Sequence, residues 1–145
     1  MNDPSFAVGE YRLRRVHDRL FHYAHVVVAA QRATTNTVSA GTAPFAWRLD
    51  AYGTHAYALD TDTALVEEAV DGAEQALAAL PAGSDAFFAV VTSIQTSNVD
   101  TFPGDVRYAA GHALWRAVGH QRADAREVSE GRLVFPDETT DAARI

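Results

Sequence analysis

Ala86-Phe-Phe-Ala-Val-Val-Thr-Ser-Ile-Gln-Thr-Ser-Asn98 decides how this chain is read. Its first half is apolar, aromatic and β-branched, the composition of a buried strand, and its second half turns abruptly to small polar residues. In α/β sheets ligands and catalytic groups gather where buried strands end. Here the strand end offers Thr92, Ser93, Gln95 and Ser97 and no carboxylate. A ligand at that end would be held by hydroxyl and amide groups; Gln31, at the end of an earlier apolar run, is a further candidate amide of that kind.

Working upstream, Pro81-Ala-Gly-Ser separates this strand from a helix over residues 60–80. Asp60-Thr-Asp-Thr supplies capping side chains, Glu67 and Glu68 favour the helix start, and Val66, Val70, Ala73, Leu77 and Leu80 form one apolar stripe. Phe45, Trp47 and Leu49, then His55, Tyr57 and Leu59, alternate with small or polar residues around Gly53, which predicts a β-hairpin over 44–60. Residues 31–43 are Thr-rich and polar and read as a loop. Leu20-Phe-His-Tyr-Ala-His-Val-Val-Val-Ala-Ala30 reads as a central strand preceded by a helical turn, with a continuous helix as the alternative. Downstream, Pro103-Gly-Asp105 opens a second helix ending near Gly119, and residues 126–136 read as a last strand or hairpin. The outcome is one α/β domain over 1–145, a mixed sheet with flanking helices in the order β-β-β-α-β-α-β. Residues 1–10 are expected as a flexible arm, with Pro4 and Gly9 as breakers, and 137–145 as a frayed tail.

The 145 residues are 48% hydrophobic and 21% charged, and they contain no cysteine. That length supports a core without staples, and the missing thiols exclude disulfides, thiolate nucleophiles and zinc–thiolate sites. No apolar run reaches the roughly 18 residues of a membrane span. The N-terminus lacks the order of a secretory signal, so no membrane role and a cytoplasmic location are expected. All 12 basic residues are arginine, and the formal net charge is -7. Such a balance disfavours wholesale binding of nucleic acid but leaves room for a local patch. Arg12, Arg14, Arg15 and Arg19 fall in one short segment and are the candidates for contacting phosphate.

The order and lengths of these elements resemble the ribonuclease H-like fold over about residues 20–135. Phe45-Ala-Trp-Arg-Leu-Asp-Ala-Tyr-Gly53 is similar to that family's second strand and turn, and Ala64 to Leu80 to its first helix. Val90-Val-Thr-Ser-Ile-Gln95 is similar to its strand ending in Thr-Asp-Ser-Gln. The resemblance implies carboxylates holding two divalent metals about 4 Å apart to cleave RNA in hybrids. It also implies that the ends of the strands at 20–30 and 86–93 are neighbours. At those ends this chain has Ala30, Gln31 and Ser93 where aspartates are expected, while Glu67, Glu68 and Asp137 only approximate the remaining positions. A neutral hydroxyl cannot hold a metal pair. The resemblance therefore implies a catalytically degenerate domain with no metal or cofactor, serving as a nucleic-acid- or protein-binding module.

Each competing chemistry has a bland counterpart. Ser93 with His112 or His120 suggests a metal-free hydrolase, but no Gly-x-Ser-x-Gly elbow presents the serine, and loop hydrogen bonding is the commoner use. Glu67, Glu68, Asp100 and Asp105 could serve a divergent nuclease, against a solvated helix face and helix capping. His22 and His25 are three apart, so on a strand they face opposite sides and cannot chelate together, whereas on a helix they could share a face. Trp47, Tyr52, Tyr57 and Tyr108 would stack on bases if exposed, whereas their spacing fits sheet packing. A third possibility is a homodimer formed through an exposed sheet surface or edge strand.

Overall fold

The computed structural model describes residues 6–17, 19–52, 61–97, 99–120, 128–129 and 132–133. Strands β1 (Ala7–His17), β2 (Leu20–Ala33) and β3 (Thr37–Ala40) come first. Helices α1 (Trp47–Tyr52) and α2 (Asp62–Ala78), strand β4 (Ala86–Gln95) and helix α3 (Asp105–Ala117) follow. Residues 128–129 (β5) and 132–133 (β6) form a separate two-residue antiparallel ladder. The main sheet has four strands in the order β1-β2-β4-β3, antiparallel except where β3 runs parallel to β4. The mixed sheet with helices on it is as the sequence implies.

Several expected elements are replaced. The expected flexible arm is strand from Ala7, where β1 begins, and residues 1–5 lie outside the described residues. Gly9 does not break it, since the missing side chain admits the α3 backbone at Ala113 and Ala117, into which a Cβ would run. The helical turn before β2 is strand, and Arg19 closes the hairpin at φ 67°. Part of the expected Thr-rich loop is β3, and the first half of the expected hairpin at 44–60 is α1; residues 53–60 lie outside the described residues. The alternation at 45–49 loses to tertiary contacts. The Pro44 carbonyl accepts from Ile94 N at 2.8 Å, the Trp47 indole donates to the Ile94 carbonyl at 2.7 Å, and Arg48 is buried against Phe45 and paired with Asp62. These groups satisfy the exposed edge of β4 where β3 stops. The expected tail at 137–145 also lies outside the described residues.

Strand alternation puts Leu13, Ala24, Val26, Val28, Ala30, Ala89, Val91 and Ile94 on one face, all fully or nearly fully buried. Both long helices pack there, α3 over β1 and β2, and α2 against α3. The α2 stripe is shifted from the expected one: Ala69, Gly72, Ala73, Ala76 and Leu77 are buried, while Val66 and Val70 are half-buried. Small residues face α3 because the helices nearly touch; a Cβ on Gly72 would collide with the Arg107 carbonyl. Trp115 fills the interior, and its indole donates to the Ala76 carbonyl at 2.9 Å.

The strand order does not follow the ribonuclease H-like resemblance. β2 and β4 are antiparallel, so Ala30 pairs with Ala89 and Ser93 with Val27. The two strand ends implied to meet lie at opposite ends of the sheet.

Candidate functional site

Two places in the fold offer chemistry: the end of β4 and the sheet face that carries no helix among the described residues. At the end of β4 a cavity of about 360 Å³ is lined by Arg48, Thr61, Ala64, Leu65, Glu68, Thr96, Ser97, Thr101, Phe102 and Pro103. Of the strand-end residues named from sequence, Ser97 lines it; Ala30 and Gln31 do not, because antiparallel pairing carries them to the far end of β4.

Most polar groups around this cavity are engaged in holding the fold. Ser97 Oγ accepts from Val99 N and Asp100 N at 3.4 and 3.3 Å, and Thr101 Oγ1 accepts from Ser97 N and donates to the Tyr23 carbonyl. Arg48 Nη1 is 2.9 Å from Asp62, and the guanidinium stacks over Phe45 at 4.2 Å. Glu68 accepts from the backbone N–H groups of Gly104 and Arg107 at 3.1 and 3.4 Å. It thereby caps α3, whose own N-cap Gly104 has no side chain to do so. Arg48 supplies the positive charge among the lining residues, and it is balanced by Asp62.

The other carboxylates considered from sequence are similarly placed. Asp105 is buried, accepts from Phe102 N at 2.8 Å and meets His22 Nδ1 at 2.8 Å. The Asp100 backbone carbonyl accepts from Tyr23 N, and Glu67 is exposed on α2. Ser93 belongs to the helix-free face, whereas His112 sits on the helix side, stacked on Tyr11 at 4.6 Å; the suggested dyad is not assembled. His120 lies beyond α3 with its ring against Trp115. Among the described residues no group of three or more His, Asp or Glu side chains is gathered closely enough to hold a metal ion.

The helix-free face is built by the alternate residues of β1, β2 and β4. Across its middle runs a polar ladder: Glu10 Oε1 to His25 Nε2 at 2.6 Å, and His25 Nδ1 to Gln95 Oε1 at 3.3 Å. The hydrogen bond and charge of His25 hold the Glu10 carboxyl below its ordinary range, with Arg12 and Arg116 adding to the effect. Thr92 sits at the bulge of β4, and its hydroxyl donates to the Val27 carbonyl at 3.2 Å. Gln31 lies opposite Phe88 at the other end of the face.

Arg12 and Arg14 project from this face, exposed, directly across from His25 and Tyr23 on β2. Arg19 is exposed in the adjoining turn, while Arg15 points to the helix side and is half-buried. Arg12 and Arg14 thus share this face and Arg15 is turned away, as strand alternation requires, while Arg19 lies in the turn beyond the strand. Trp47 and Tyr108 are used in packing; the side chain of Tyr52 and the whole of Tyr57 lie outside what is described. Sequence reasoning misses the ladder, because it places Glu10 in an arm and only the β1–β2 register reveals its partner.

No family model matches the sequence, and no curated protein matches it. The fold is similar to part of the crystal structure of ttk003000868 from Thermus thermophilus, with a TM-score of 0.58 and 13% identity. That likeness covers 79% of this chain but 16% of the Thermus chain, so the chain spans about a sixth of that structure's length. Among the described residues no helix is long and apolar enough to cross a membrane.

Proposed function

We propose that this domain is a non-catalytic binding module whose helix-free sheet face takes up single-stranded nucleic acid. The observation that carries the reading is the pair of exposed arginines, Arg12 and Arg14, standing on that face opposite His25 and Tyr23. Guanidinium forks suit phosphate oxygens, and flat rings on an open sheet suit unstacked bases. The overall charge of -7 does not oppose this, because charge is segregated. Residues 7–33 hold five arginines against two acids, whereas α2 holds five acids and no base. The ribonuclease H-like resemblance adds no support, since its strand order differs, and the module reading rests on the face alone.

The test is fluorescence anisotropy of a labelled single-stranded RNA oligomer titrated with protein over a range of salt. Affinity should fall with salt, and the R12Q/R14Q variant should bind more weakly, with a log–log slope smaller by about 0.7 for each phosphate that is no longer neutralised. Absence of binding at low salt, or an unchanged slope in the double variant, would overturn the proposal.

A further inference from the structure

We infer that β1 is an interface for a second copy of this chain, the two strands pairing antiparallel about a two-fold axis at Tyr11. The inference is independent of the nucleic-acid reading. β1 is an edge of the sheet, eleven residues long, in unbroken register with β2 and free of proline. Natural edge strands are commonly blunted by bulges, prolines, short length or charged side chains; β1 has only the last, in Glu10, Arg12 and Arg14. Its helix-free side also carries Val8 and Val16, 66% and 67% exposed.

The direction of the backbone limits how such an edge can pair. The Glu10 carbonyl accepts from Arg116 Nη1 at 2.9 Å, so it points away from β2. The same holds for the other even-numbered residues of the strand. In a two-fold antiparallel pair, the numbers of facing residues have a constant sum, and the outward groups meet only when even faces even. Centring the axis on Glu10 sets that carboxylate against itself. Centring it on Arg12 pairs Glu10 with Arg14 and Val8 with Val16 but drives two Arg12 guanidinium groups together at the axis, and on Leu13 it sets Arg12 against Arg14. Only the register centred on Tyr11 places Glu10 opposite Arg12 of the second copy, twice. The same register brings Phe6 opposite Val16 at both ends. Like charges are avoided, Phe6 meets Val16 and Val8 lies against the aliphatic stem of Arg14, which is complementarity of the kind that cross-strand pairs reward. Arg116 guards the backbone of this edge, since its guanidinium covers the Glu10 carbonyl and lies 4.8 Å over the Tyr11 ring. It must swing out as the strands join.

Sedimentation equilibrium of the full chain tests the interface, with circular dichroism to confirm folding of each variant. The wild type should dimerise at micromolar to high-micromolar concentration. E10R and R12E should each weaken the dimer about tenfold, by turning two attractive pairs into two repulsive ones. The E10R/R12E exchange should restore it, and Arg116→Ala should tighten it. A wild type that stays monomeric throughout that range would overturn the interface. Single variants that dimerise as well as the wild type, or an exchange that fails to recover, would overturn the register.

Discussion

Arg19 occupies the left-handed region at φ 67°, a conformation that costs a residue with a Cβ about 1–2 kcal/mol. Glycine removes that strain and adds back some unfolded-chain entropy, so Arg19→Gly should stabilise the protein by about 0.5–1 kcal/mol in urea unfolding. An equal loss would show that the Arg19 side chain contributes more than its backbone costs. Glu10 gives a pH-dependent counterpart. Its carboxyl is lowered from the ordinary 4.5, first by the His25 hydrogen bond and then by the His25 charge. A lowered native value means that the folded state holds the proton less tightly than the unfolded chain. The stabilisation is therefore present above pH 4.5 and disappears as pH falls through the lowered value. Glu10→Gln should melt below the wild type at pH 6, with the gap closing under acid; a gap independent of pH would point to lost shape rather than lost charge. Neither residue announces its role in the sequence. A turn arginine looks like any surface arginine, and Glu10 gains its partner only through a pairing fifteen residues away.

At the scale of elements, most of the long regular pieces are legible in the sequence, but β1, eleven residues long, and the short pieces are not. α2, β4 and α3 each carry enough periodic residues, with Pro or Gly at their borders, for local pattern to decide. α1 and β3 do not. Their residues alternate or are polar, and it is the open edge of β4 that draws β3 into parallel pairing and fixes the Pro44–Trp47 segment through Ile94. Glu68 illustrates the same limit at a helix start. From sequence it is a surface acid on α2, or a candidate metal ligand; in the fold it caps a different helix. Glu68→Ala should therefore cost about 1 kcal/mol in chemical denaturation, the usual worth of an N-terminal cap with a favourable charge. Glu67→Ala, on the exposed neighbour, should cost almost nothing. Equal losses at the two positions would make the Glu68 contacts incidental.

The molecule as a whole sets the acidic α2 on one side of the sheet and the arginine-bearing strand face on the other, and strand alternation keeps the two faces apart. Because β2 and β4 run antiparallel, the polar strand end found in the sequence is real, but the partner expected for it is not. Ala30 pairs with Ala89, Ser93 pairs with Val27, and the side chains of Ala30 and Ser93 belong to opposite faces. At about 3.3 Å per residue along a strand, carboxylates introduced at both positions would be too far apart to share a metal pair spaced about 4 Å. The variant Ala30→Asp with Ser93→Asp is thus expected to lose about 3 kcal/mol or more, because Ala30 is only 3% exposed and a buried carboxylate there has no cation to meet. Manganese should return none of that stability. Thermal melts of the variant in chelator and in excess manganese decide the matter, since a metal that binds the folded state alone must raise the melting temperature. A manganese-dependent rise larger than that of the wild type would mean that the two strand ends do converge, contrary to the antiparallel register on which the helix-free binding face depends.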